Sequence, residues 1–227
     1  MLEEENQGQQ TKTIKEFFKG RSDLWLLLYI PIFFAGFFLV EKLVPDGSAY
    51  WVSYCRLDDM IPFDARFVIF YALWAPLIFA VGIFLLIYDV PVFKYYMQFF
   101  IIGFTLCLIF YVLVPNGQDL RPTVFPDNDV FTRLVKLIYT SDTNTNVFPS
   151  MHVYGAIGAA LGLIKSRRVK KSCLWMKPVS AVLAILISVS TCFIKQHSVL
   201  DVASGVILAA IIYTVLLIIS HYKRNIS

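Results

Sequence analysis

Tyr95 to Val114 reads YYMQFFIIGFTLCLIFYVLV, twenty residues without one charged side chain. A helix of that length and character crosses a membrane, because about 20 residues rising 1.5 Å each match a hydrocarbon core of about 30 Å. Five further stretches are long enough, or nearly so: Leu24 to Leu43, Arg66 to Tyr88, Ser150 to Ile164, Pro178 to Ile194 and Val199 to Ser220. The 227 residues are 58% hydrophobic and 16% charged, which is too apolar for an ordinary soluble domain. The expected fold class is all-α: a polytopic membrane protein built as a six-transmembrane-helix bundle. No repeat or linker divides it, so one membrane domain over 24–220 is expected between a polar tail (1–23) and a basic tail (221–227).

Orientation follows from the Lys/Arg bias of the connections. Lys165, Arg167, Arg168, Lys170, Lys171 and Lys177 crowd one loop with no acid among them, which makes that loop cytoplasmic. With six spans both termini are then cytoplasmic, and 13 of the 20 basic residues fall inside. The net charge of +4 is therefore read as topology and attraction to anionic lipid, not nucleic-acid binding. The first apolar run is longer than a signal-peptide core and is read as a retained span.

Other features are weaker. Residues 1–19 are polar, with a candidate interfacial stretch at Ile14 to Phe18. Cys55, Cys107, Cys173 and Cys192 are scattered and show neither a disulfide framework nor a metal-ligand spacing. Pro31 and Pro76 fall inside spans and are candidate kinks. In the outer connection from Glu41 to Asp64, Tyr50, Trp51 and Tyr54 suit the headgroup level. Asp58-Asp59 there reads as a solvated acidic turn more readily than as a cation site. In the connection from Pro115 to Pro149, Phe131, Leu134, Val135 and Ile138 are spaced for an interfacial helix over Asp129 to Tyr139.

Chemistry concentrates in two polar islands, Phe148-Pro149-Ser150-Met151-His152 and Lys195-Gln196-His197-Ser198-Val199-Leu200-Asp201, which hold two of the three histidines. Ionisable groups at a membrane boundary are functional-site candidates by default. His197 and Asp201 are four apart and share a helix face, so the carboxylate can hold Nδ1 and leave Nε2 nucleophilic. Taken alone, the pair reads equally well as two groups satisfying each other at a helix end. Ser150 is a strong N-cap and Pro149 suits a helix start, so this island offers a helix N-terminus to an anion, with His152 in the first turn as a candidate proton donor. Taken alone, an ordinary capped helix is the more economical reading. Arg121-Pro122 lies on the same outer face and can present a rigid guanidinium fork to phosphate. Lys195 reads either as a snorkelling span-end residue or as a phosphate contact. His221 reads as a solvated tail residue.

In order, Arg121-Pro122, Pro149-Ser150-x-His152 and Ser190-x6-His197-x3-Asp201 resemble the three-part signature of the type 2 phosphatidic acid phosphatase superfamily, over about Arg66 to Ile219. The resemblance implies six spans, no cofactor or metal, and a lipid phosphate or isoprenyl pyrophosphate as substrate. It implies that His197 forms a phosphohistidine oriented by Asp201, and that His152 protonates the leaving group and then assists water. Arg121 and Ser150 would hold the non-bridging oxygens. The chain departs from the family pattern in having Val114 where a Lys is usual, Thr191 where an Arg is usual and Met151 where a Gly is usual. That reduced pattern is similar to the branch of inositol phosphorylceramide and sphingomyelin synthases, so headgroup phosphotransfer is the alternative expectation. A non-catalytic lipid-binding or transport role on the same fold is the third. The expected setting is the cell membrane, multi-pass, with the site on the extracytoplasmic face and membrane lipids as the partners.

Overall fold

The computed structural model describes residues 20–43 and 49–226. The expected polar tail of residues 1–19, with its interfacial stretch, lies outside the described residues. Seven helices dominate: α1 (Ser22–Leu43), α2 (Ala65–Tyr88), α3 (Val90–Leu113), α4 (Val130–Ser141), α5 (Met151–Lys165), α6 (Lys171–Phe193) and α7 (Val199–Ile226). Among the described residues, α1, α2, α3, α6 and α7 are long and apolar enough to cross a membrane. The protein is thus a membrane-embedded helical bundle. The expected fourth span, α5, has 15 residues, so it rises only about 22 Å against a core of about 30 Å.

That short helix is the axis of the bundle. α2, α3, α6 and α7 all pack on it, and Val153, Tyr154, Gly155, Ala156, Gly158, Ala159 and Ala160 are among its buried residues. Small side chains let neighbouring backbones approach where the surrounding lipid supplies no hydrophobic drive for helix association. A Cβ added at Gly155 would come within 2.8 Å of Trp74 Nε1 on α2, and one at Gly205 within 2.8 Å of the Ser150 carbonyl. Both glycines therefore permit contacts that position the residues described below.

Local chemistry explains the helix limits. Asp89 caps α3 by accepting from the Val92 N–H at 3.5 Å, and Pro91 sits in the first turn, so α3 starts five residues before hydropathy alone suggests. Pro31 lacks the N–H that would bond to the Leu27 carbonyl, and α1 opens as a 3-10 helix over Ser22–Leu28. Pro76 likewise follows an interruption at Leu73 in α2. The amphipathic connection forms α4, capped by Asp129 Oδ1 on the Thr132 N–H at 2.8 Å. Phe131, Val135 and Ile138 pack with Val68, Tyr71 and Ile194, whereas Leu134 faces outward.

One element was not legible beforehand. β1 (Trp51–Val52) runs parallel to β2 (Asn116–Gly117), with Trp51 opposite Asn116 and Val52 opposite Gly117. Two residues per strand are too few to display a periodicity. This ladder nevertheless fixes the first outer connection against the second. At the other end of α5, Lys177 Nζ donates to the carbonyls of Ile164 and Ser166, and the Ser166 hydroxyl to Asp89 Oδ2 at 2.7 Å. The basic loop is therefore anchored a helix length away from the histidine islands.

Candidate active site

The turn between α6 and α7 sets the first histidine. Lys195 adopts a left-handed backbone, φ 54°, and the N–H groups of Gln196 and His197 both donate to the Thr191 carbonyl, at 2.9 and 3.2 Å. The chain doubles back, and Ser198-x-x-Asp201 then opens α7 as a capping box. Ser198 Oγ accepts from the Leu200 N–H at 3.2 Å, while Asp201 Oδ2 accepts from the Ser198 N–H at 2.8 Å. The same carboxylate lies 3.4 Å from His197 Nδ1. Asp201 is fully buried and His197 is 5% exposed.

Ser150 is the N-cap of α5, its hydroxyl accepting from the Val153 N–H at 3.3 Å and its own N–H donating to the Asp201 carbonyl at 3.2 Å. The two helix starts are thereby joined, which brings His152 Nδ1 to 3.2 Å from His197 Nε2. Rings of Tyr71 and Trp74 flank His152 at centroid distances of 4.6 and 4.5 Å. His152 Nε2 lies 3.8 Å from Asp142 Oδ2, and the Tyr71 hydroxyl donates to the same carboxylate. Asp142, His152, His197 and Asp201 thus form one chain, two imidazoles between two carboxylates. With Asp201 as acceptor, the proton of neutral His197 sits on Nδ1, and its Nε2 lone pair faces the Nδ1–H of His152. A small cavity of about 30 Å³ lies before the pair, lined among others by Asp142, Asn146, Met151 and Gln196.

Arg121 is brought to this cavity only through two residues that line it, Asp142 and Gln196. Its guanidinium donates to the carbonyls of Tyr139 and Asp142, at 3.2 and 2.6 Å, and to Gln196 Oε1 at 2.5 Å, and it stacks 4.2 Å over the Tyr139 ring. Burial pushes the Tyr139 phenol well above its ordinary value, against the opposing pull of Arg121. The phenol stays neutral and donates to the Ile194 carbonyl at 2.5 Å, tying α4 to the His197 turn.

Lys195 is not brought to the histidines. Its left-handed backbone sends the side chain to the first outer connection, where Nζ donates to the carbonyls of Asp58 and Ile61 at 2.9 and 2.5 Å. Ser190 is also remote in function, its hydroxyl donating to the Ile187 carbonyl of its own helix at 2.7 Å.

The first outer connection corrects the reading of Asp58. It is no solvated turn residue: it is 2% exposed, and its Oδ1 accepts from the Val199 N–H at 2.8 Å while Oδ2 accepts from the Ser198 hydroxyl at 2.7 Å. Asp58 is therefore a second cap on α7, supplied from 141 residues away, where a carboxylate is favoured by the helix dipole. Asp59 remains exposed. Ser53, held by its N–H on the Gly117 carbonyl at 2.8 Å, donates its hydroxyl to Asp201 Oδ1 at 2.5 Å. Asp142 and Ser53 were missed in the sequence, Gln196 stood in a polar island without a role, and Asp58 was read as a turn residue. Only the Ser198-x-x-Asp201 capping box was available there to show that Asp201 has further partners.

The family model of the PAP2 superfamily matches residues 116–225. The match spans Arg121, Asp142, Ser150, His152, Lys195, His197 and Asp201, and leaves Ser53, Asp58, Tyr71 and Trp74 outside. No curated protein and no solved structure matches the chain.

Proposed function

With residues 116–225 belonging to the PAP2 superfamily, and a phosphatase-type function thereby supported, we propose that this protein hydrolyses a lipid phosphate or isoprenyl pyrophosphate through a phosphohistidine on His197. The observation that carries the reading is the 3.2 Å approach of His152 Nδ1 to His197 Nε2, with Asp201 behind the far nitrogen of His197. When this hydrogen bond opens to admit a phosphoryl group, the group meets a lone pair on one side and a proton donor on the other.

In the first step His197 Nε2 attacks phosphorus while the bond to the leaving oxygen breaks. His152, whose charged form is favoured once the anionic phosphate lies beside it, gives its Nδ1 proton to that oxygen, and Asp142 lies 3.8 Å from its Nε2. Asp201 holds the Nδ1–H of His197 as its ring becomes positive. In the second step water attacks phosphorus, His152 takes the water proton, the P–N bond breaks and phosphate leaves. Non-bridging oxygens face the first-turn amides of α5 capped by Ser150, with the Arg121 charge behind Asp142 and Gln196. Lys195 serves as a brace for the His197 turn in this reading. The second reading, transfer to a lipid alcohol, uses the same first step with an alcohol replacing water. It is favoured by the neutral Val114 and Thr191 and by the engagement of Lys195 elsewhere.

We place the chain in the cell membrane as a six-span protein, α5 being a short span inside the bundle, with both termini cytoplasmic and the site extracytoplasmic. The positions of His152 in the first turn of α5 and Lys165 in its last support this orientation. The test is phosphate release by detergent-purified protein from phosphatidate, phosphatidylglycerol phosphate and undecaprenyl pyrophosphate in chelator, with His197→Ala alongside. Release lost in the variant supports the reading. Acceptor-dependent product without release favours transfer, and neither points to a non-catalytic protein.

A further inference from the structure

The cavity that His152, His197 and Asn146 line together has a volume of about 30 Å³. That is room on the scale of water, which takes about 10–15 Å³ of such space. Asn146 is held there from several sides. Its backbone is left-handed, φ 58°, and its N–H donates to the Asn116 carbonyl at 2.7 Å. Asn116 Oδ1 in turn accepts from the N–H groups of Val147 and Phe148 at 2.9 and 2.8 Å. The side-chain amide is oriented by Glu41: Nδ2 donates to Glu41 Oε1 at 2.8 Å, and a carboxylate only accepts, so Oδ1 lies on the other side. Asn146 is 6% exposed. Among the described residues, its Oδ1 is the one buried side-chain acceptor that no donor of the protein reaches. Glycine would serve a left-handed turn as well, and Glu41 accounts for Nδ2. Neither accounts for a buried carbonyl oxygen, which is disfavoured without a donor. A donor that enters the cavity does.

We propose that Asn146 Oδ1 positions the water that hydrolyses the phosphohistidine, and that it thereby selects water over an alcohol in the second step. The proposal rests on the reading of His197 as the nucleophile. Water carries two O–H bonds. One is aimed at His152 Nδ1, which takes that proton, and the other donates to Asn146 Oδ1, which leaves a lone pair of the oxygen pointing at phosphorus. The new P–O bond forms as the P–Nε2 bond breaks and its electron pair returns to His197. The second proton stays on the departing phosphate. An alcohol has a single O–H, which His152 requires, so it leaves Asn146 Oδ1 unpaired and sets carbon against it. A buried polar group left unpaired by the wrong reactant discriminates strongly against it. In the first step the leaving ester oxygen takes its proton from His152 and brings no second O–H. Asn146 therefore acts on breakdown of the phosphoenzyme and not on its formation.

The test uses the full chain in detergent, radiolabelled phosphatidate and undecaprenyl pyrophosphate as probes, and an alkaline quench that preserves phosphohistidine. Asn146→Gly removes the amide and suits the left-handed backbone. Labelled enzyme should form at an unchanged rate and break down about 10- to 100-fold more slowly, the order of loss when a reactant is mispositioned, so that it accumulates. With glycerol added, the wild type should yield free phosphate alone, and Asn146→Gly should yield glycerol phosphate as well. Asn146→Asp paired with Glu41→Gln reverses the amide-carboxylate bond and restores an acceptor oxygen to the cavity. The new amide carbonyl keeps the Thr143 hydroxyl that Glu41 Oε2 accepts at 2.6 Å. Breakdown in this pair should return to within about tenfold of the wild type. Breakdown unchanged in Asn146→Gly, or formation and breakdown slowed alike, overturns the proposal and leaves Asn146 a turn residue. Glycerol phosphate from the wild type overturns the selection of water, whether or not the variants fold. Phosphate release by the wild type with no label on His197 fells the phosphohistidine reading and this proposal with it. Label on His197 whose breakdown is indifferent to Asn146 fells this proposal alone.

Discussion

Ser53 and Asp201, 148 residues apart, share a buried hydrogen bond of 2.5 Å, and the other oxygen of that carboxylate serves His197. The bond exists because β1 pairs with β2, which sets Ser53 beneath α7. Ser53→Ala removes one donor from Asp201 and leaves its position looser. The expected loss is about 10- to 100-fold in kcat, comparable to the removal of groups that orient a functional ligand from behind, with KM little changed. An unchanged kcat assigns Ser53 to packing alone.

His152 and Asp142 act on the leaving oxygen in the proposed mechanism, so their replacement should depend on the leaving group. His152→Ala is expected to lower turnover of an alkyl phosphate about 10²- to 10⁴-fold, the range of a general acid. A nitrophenyl ester, whose oxygen needs no proton, should suffer much less. Asp142→Asn should show the same pattern in weaker form, and the double variant should be less than additive because the two groups form one unit. Equal losses for both esters would remove His152 from the role of acid.

Lys195 separates two readings by a single substitution. As a brace it holds the carbonyls of Asp58 and Ile61, and Lys195→Met leaves two carbonyls without their charged donor. Hydrogen bonds to charged groups contribute about 2 kcal/mol each, so the expected result is a lowered unfolding midpoint in detergent with KM unchanged. A raised KM at unchanged stability returns Lys195 to the phosphate.

The parts of this molecule legible in its sequence are those in which helical spacing carries the information. His197 and Asp201 at four apart, Ser150 as a cap, and Phe131, Val135 and Ile138 on one face of α4 all follow from that period. The helix α5 was legible as apolar, whereas its role as the axis was not, since burial on every side depends on neighbours far along the chain. Ser53 and Asp58 were illegible for the same reason: their partners are set by a two-residue parallel ladder between distant loops. Lys195 misled because spacing places it beside His197, while its left-handed backbone turns the side chain away.

Asp129 offers a pH test of the segment that positions Asp142. The backbone N–H of Thr132 is the main cause holding the Asp129 carboxyl below its ordinary value. A carboxyl depressed in the folded state stabilises it above the unfolded pKa, and that contribution is lost as pH falls through the folded value. The cap of α4 should therefore weaken in acid, and Asp129→Ala should reproduce the weakening at neutral pH. Because Tyr139 ties α4 to the Ile194 carbonyl and Arg121 to the Asp142 carbonyl, loosening should begin at the Asp129 end and leave the Tyr139 end protected. Hydrogen exchange along α4, compared between neutral and acidic pH and between wild type and Asp129→Ala, reads this directly. Uniform exchange along the helix in the variant would show that α4 opens as one unit and that its cap does not govern its start.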